Sequence, residues 1–205
     1  MEQLPGLPPS AFDKADPSPD ADFYDFPRFV THIDDTAIAA VTQVYRDVLP
    51  PGGALLDLMS SWVSHLPDDV AYASVVGHGM NAEELAANPR LARWFVQDLN
   101  IEPTLPLDDG AFDGACLCVS VQYLQRPVDV FQQVRRVLRP GAPFVVSFSN
   151  RCFPTKAVAI WQAFSGPDQQ RLVAAYMRAA GFDHVVQRAL TPAHTDPLWV
   201  VIGNV

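Results

Sequence analysis

Short apolar runs alternate along this chain with longer stretches in which apolar residues recur every three or four positions. A brief continuous apolar run reads as a strand buried on both faces, whereas the wider spacing reads as a helix with one buried stripe. Strand runs fall at 54–59, 72–76, 94–96, 114–121, 143–148, 185–190 and 198–202. Helical spacing marks 81–87, 127–138, 154–164 and 167–180. An earlier helical pattern runs from Phe23 to Val48, with a start signal at His32-Ile33-Asp34-Asp35-Thr36 and a stop at Pro50-Pro51-Gly52-Gly53. Strands alternating with helices predict an α/β fold, a doubly wound and mostly parallel sheet with helices on both faces. Residues 191–197 leave no room for a crossover helix, so the last two strands are expected to pair antiparallel.

Composition narrows the picture. At 205 residues a single domain is expected over 21–205, and a chain of this size buries roughly 70% of its unfolded surface. The Pro-, Asp- and Ser-rich residues 1–20 read as a mobile arm. A net charge of −9, with no basic cluster longer than Arg135-Arg136, disfavours nucleic acid and anionic membranes as partners. Cys116 and Cys118 share a strand face at a spacing poor for a disulfide, and Cys152 makes the set odd. Reduced thiols in a cytoplasmic protein are the expectation, with no metal, since ligand spacing is missing. The N-terminus has no secretory pattern and no apolar run approaches membrane-spanning length.

The segment 105–141 carries the strongest signature. Leu105-Pro106-Leu107-Asp108-Asp109-Gly110-Ala111-Phe112-Asp113 resembles an L-P-F-x-D-x-S-F-D motif, and Val137-Leu138-Arg139-Pro140-Gly141 resembles L-K-P-G-G. In order and spacing, residues 54–150 resemble class I S-adenosylmethionine (SAM)-dependent methyltransferases of the type 11 group. The resemblance implies seven strands in the order 3-2-1-4-5-7-6, SAM as cofactor, and methyl transfer to a small-molecule nucleophile. It also implies that residues 21–50 form a helical lid.

Ligands of such sheets bind outside the carboxyl ends of the strands, where the strand order reverses. The family's D-x-G-x-G-x-G turn is replaced here by Asp57-Leu58-Met59-Ser60-Ser61-Trp62-Val63. Losing these glycines should narrow the space for the methionine part of SAM, with Ser60, Ser61 and Ser64 hydroxyls as substitutes. The ribose-binding acid is missing from His78-Gly79-Met80-Asn81, which leaves Asn81 to accept a hydroxyl and Met80 to pack on adenine beside Gly79. Asp98 and Leu99 stand where the family contacts adenine, and Cys118 and Val119 where it faces the methionine end. Arg28 is a candidate for the SAM carboxylate, and Tyr24, Asn150 and Arg151 for substrate contacts. His32 and Tyr123 are candidate catalytic bases. Phe23, Phe26 and Phe29 read as core packing, and Cys152 as an inert thiol. No G-x-S-x-G elbow or dinucleotide fingerprint is present. The competing expectation is a non-catalytic binding or partner protein with a degenerate SAM site.

Overall fold

The computed structural model describes residues 4–190 and 195–205. Residues 1–3 of the expected arm, and 191–194 of the link between the last strands, lie outside the described residues. The strands are β1 (Ala54–Leu58), β2 (Ser74–Gly79), β3 (Arg93–Val96), β4 (Gly114–Cys118), β5 (Pro143–Phe148), β6 (Asp183–Leu190) and β7 (Leu198–Asn204). They form one seven-stranded sheet in the order β3-β2-β1-β4-β5-β7-β6. The first five pair in parallel, and β7 runs antiparallel to both β5 and β6. The helices are α1 (Asp20–Phe23), α2 (Asp35–Val48), α3 (Ala82–Ala87), α4 (Pro127–Val137), α5 (Ala159–Ala163) and α6 (Gly166–Ala179).

Alternation along the strands feeds two cores. On β5, Val145 packs with Val41, Val44 and Tyr45 of α2, while Phe144, Val146 and Phe148 pack with α4 and α6 on the opposite face. The Asp34 carboxylate accepts the Ala37 N–H at 2.8 Å and caps α2, as the start signal implied.

Several expectations are corrected. The helical pattern from Phe23 breaks after α1, because Pro27 disfavours a helical conformation at Phe26. Residues 24–33 instead form an irregular strap, and Phe26 and Phe29 stand 76% and 51% exposed rather than in the core. The helix expected over 154–164 shortens to α5. Its first residues pair with the N-terminal segment, through a Lys14–Val158 bridge and an Ala159 N–H to Asp13 carbonyl bond. β2 extends to Gly79 in register with β3, absorbing residues read as a turn.

The arm also differs from its reading. Residues 4–20 pack against the body, with Phe12 buried beside Tyr176. The fully buried Lys156 ammonium donates to the Ser18 carbonyl and hydroxyl and pairs with Asp16 and Asp20, and Lys14 pairs with Asp20 as well. Buried ammonium groups persist only with such partners.

Candidate cofactor and acceptor cavity

A cavity of about 520 Å³ opens outside the carboxyl ends of β1 and β4, where the strand order reverses. Small-molecule sites span roughly 300–1,000 Å³. Every loop at this end of the sheet contributes to its wall, and the strap closes one side. Met59, Ser60, Ser61, Gly79, Met80, Asn81, Asp98, Leu99, Cys118 and Val119 all line it, as do Tyr24, Arg28, His32, Tyr123 and Arg151. Asp57 and Asn150 do not. Asp57 lies beneath the loop, accepting the Ser60 hydroxyl at 2.6 Å and the Cys116 thiol at 3.5 Å. Asn150 is exposed and bonded to Ser149.

The glycine-free turn keeps the backbone shape that glycine would give. Met59 sits at φ 54°, in the left-handed region, at the position of the first missing glycine. That conformation costs an ordinary residue roughly 1–2 kcal/mol and persists only where surroundings hold it. Here His78 holds it. Its Nδ1 accepts the Met59 N–H at 3.1 Å, its carbonyl accepts the Ser60 N–H at 2.6 Å, and its Nε2–H donates to the Gln97 carbonyl at 2.9 Å. Burial pushes the imidazole down to about 4, so the ring is neutral in this role. The loop lies so close on β2 that a Cβ at Gly79 would fall 2.5 Å from the Ser60 carbonyl oxygen. Val119, facing the turn from β4, is also left-handed at φ 51°.

Bonding inside the protein redefines other candidates. Asn81 caps α3, its carbonyl oxygen taking the Glu83 and Glu84 N–H groups and its amide donating to the Tyr24 and Asp25 carbonyls. Both ends of that amide are therefore committed, and it fastens the strap rather than a ribose. Arg28 likewise donates to the Phe23 and Phe26 carbonyls and lies over the Phe23 ring at 4.5 Å, so it offers no open fork for a carboxylate. The Ser60 hydroxyl serves Asp57, and the Ser64 hydroxyl accepts the Asn88 amide. Ser61 alone of the three expected serines has no hydroxyl bond among the described residues. Tyr123 accepts the Phe153 N–H at 2.9 Å and burial pushes its phenol up to about 12, which makes it a poor base. His32 carries no hydrogen bond on either ring nitrogen among the described residues. Burial and then Arg28 lower its pKa, favouring the neutral ring.

The sequence reading missed His78, Glu84, Phe153, Asp34 and Asp196, all of which line the cavity. Glu84 is the notable one, because it brings an acid to the cavity wall from α3, where β2 supplies none. One of its oxygens takes the Arg28 N–H at 2.6 Å, and burial raises its pKa. Its place one turn into a helix with Asn81 as cap was the available signal. Among the described residues there is no cluster of three or more potential metal-ligating side chains, and no helix is long and apolar enough to cross a membrane.

Comparison with known proteins agrees with this geometry. Residues 60–146 match the family model described as a methyltransferase domain. No curated protein matches the sequence. Among solved structures, an Aquifex aeolicus SAM-dependent methyltransferase superposes with a TM-score of 0.58 at 16% identity, covering 96% of this chain and 98% of that one. A Thermotoga maritima SAM-dependent methyltransferase, described as a possible histamine N-methyltransferase, gives 0.60 at 18% identity over 82% and 88%. The (4+2) cyclase SpnF gives 0.61 at 15% identity over 82% and 80%, so the fold extends to a protein described as a cyclase. Residues 60–146 thus match a methyltransferase domain, and the seven-stranded sheet of order β3-β2-β1-β4-β5-β7-β6 around them is the fold that these SAM-dependent methyltransferase structures share.

Proposed function

We propose that the cavity binds SAM and that the chain transfers its methyl group to a small molecule. The observation that carries this reading is the position of one cavity at the switch point, walled by the loops after β1, β2, β3 and β4 together. Its residues suit the cofactor. Carboxylates outnumber guanidinium groups in the lining, and no basic cradle for phosphates is present, which favours a sulfonium cation over a dinucleotide. Met59, Ser61, Cys118 and Val119 would hold the methionine portion. Met80, Asp98 and Leu99 would hold the adenosine, with Glu84 taking the place of the absent β2 acid. When bound, SAM supplies an electrophilic methyl group on a positively charged sulfur. The chain's own part is to align the acceptor with that carbon and to exclude water, and such alignment supplies roughly 7–11 kcal/mol. His32 is the residue placed to take a proton.

Thermal unfolding with saturating SAM and with its demethylated product tests the reading. Occupancy at a hundredfold over Kd adds about 2.7 kcal/mol, a shift of very roughly 5–10 °C for this size. An unmoved melting curve with both ligands would sink SAM binding altogether. A shift without methyl transfer to amine, phenol or thiol acceptors would instead identify a non-catalytic binding protein.

A further inference from the structure

One end of the cavity is fenced by a closed circuit of contacts. The His32 ring stands edge-on to Phe153 with centroids 5.5 Å apart. Two residues along the strap, Asp34 and Asp196 exchange backbone N–H to carboxylate bonds of 3.1 and 2.6 Å. Asp196 then accepts from the Arg151 Nε at 2.9 Å, and the chain runs from Arg151 back to Phe153. Tyr123 stacks behind Phe153 at 6.0 Å. All of these residues line the cavity.

The charges of the circuit do not cancel. Two carboxylates share one guanidinium, because the other bonds to Asp34 come from the neutral N–H groups of Asp196 and Ala37. Those bonds hold the Asp34 carboxyl below its usual range, so it stays ionised. The cavity's other cation, Arg28, is occupied by carbonyls and the Phe23 ring. An aromatic wall beside surplus negative charge attracts cations, by its ring quadrupoles as well as by Coulomb energy.

We infer that the acceptor is an amine carried on an aromatic or apolar body, drawn in as its ammonium form by Asp34 and Asp196 and seated against Phe153. The inference rests on the methyl-transfer reading for its chemistry, but not for its binding test. For transfer, the ammonium gives one proton to His32. The freed nitrogen lone pair forms the N–C bond as the C–S bond breaks with its electron pair left on sulfur. The products are a methylated ammonium and a neutral thioether, and His32 returns its proton to solvent.

Calorimetric titration of the intact protein with phenethylamine, phenethyl alcohol and hydrocinnamate, each with and without the demethylated cofactor, separates the possibilities. The amine should bind at least about tenfold tighter than the alcohol, and the carboxylate should bind weakest. Asp196→Asn should erase most of the amine's advantage, and Phe153→Leu should weaken all three while still favouring the amine. Equal binding of amine and alcohol, preference for the carboxylate, or no binding of any of them overturns the inference. Titration of the cofactor product on each variant reports separately whether the SAM site is intact. Its failure counts against the methyl-transfer reading, whatever the amine does.

Discussion

Two turns face each other across the crevice, Met59 after β1 and Val119 after β4, and each holds an ordinary side chain in the left-handed backbone region. They are held differently. The Val119 N–H donates to the Ser147 carbonyl on β5 at 2.8 Å, and its carbonyl accepts the Gln122 amide at 2.9 Å. The Met59 N–H relies on the His78 ring at 3.1 Å, and its carbonyl on the Ser120 hydroxyl at 3.4 Å. The branched residue, costlier to hold this way, therefore has the shorter bonds and a backbone partner in the sheet. The β4 wall is fixed by the fold itself, whereas the β1 wall depends on individual side chains.

The largest effect should come from removing the β1 clamp. His78→Ala would leave the Met59 N–H and the Gln97 carbonyl without partners and open a void. Orphaned buried groups cost roughly 1–3 kcal/mol each, so a loss of about 3 kcal/mol in urea unfolding is expected. Gln122→Ala, which leaves the Val119 N–H bonded to Ser147, should cost nearer 1–2 kcal/mol. The reverse order would break the comparison.

A second test uses pH, because Asp57 and His78 both support the β1 wall. Burial holds Asp57 up at about 6, against roughly 3.9 when unfolded. Its contribution to stability is complete below the unfolded value and is lost as pH rises through about 6. His78 runs the other way. Its contribution is complete above roughly 6.5 and is lost as pH falls through about 4. Between these values the slopes oppose each other. Asp57→Asn removes one of them, so the variant should gain stability relative to the parent by about 2 kcal/mol from pH 4 to 6.5. Parallel curves for the two proteins would place the titrating groups elsewhere.

The smallest effect is the sharpest probe of the turns themselves. Glycine normally costs a chain about 1 kcal/mol relative to alanine. At 59 and at 119 the order should invert, with the glycine variants about 1 kcal/mol more stable than the alanine ones. If alanine is the more stable at either position, that turn is not strained.

These same turns mark where the sequence stops being legible. The strands and the cap at Asp34 could be read because they depend on nearest neighbours and on period. β4, α4 and β5 follow from 105–148 with shifts of a few residues at most. Much of the lining from the loops after β1 to β4 could also be read, because loop positions follow from strand order, whereas Glu84, Phe153, Asp34 and Asp196 reach the cavity from elsewhere. What each polar atom does there could not. Asn81 looks free until Tyr24, 57 residues earlier, lays its carbonyl against the amide. Ser60 looks available until its hydroxyl is seen donating to the Asp57 carboxylate. Arg28 is spent on carbonyls of its own strap, which helical spacing had hidden. The pocket's outline belongs to topology, but its open valences belong to tertiary contact.

Gly79 draws these threads together. The close backbone approach for which relatives use glycines after β1 is still made here, but the small residue now stands on the opposite bank, at the end of β2. The loop is therefore not interchangeable with a relative's. A D-x-G-x-G-x-G turn grafted into 57–63 would meet a β2 edge already shaped to receive the residue-60 carbonyl, and its glycine at 59 would take the left-handed backbone without needing the His78 clamp. Loop and receiving edge form one matched pair, and this chain has to be re-engineered at both or at neither.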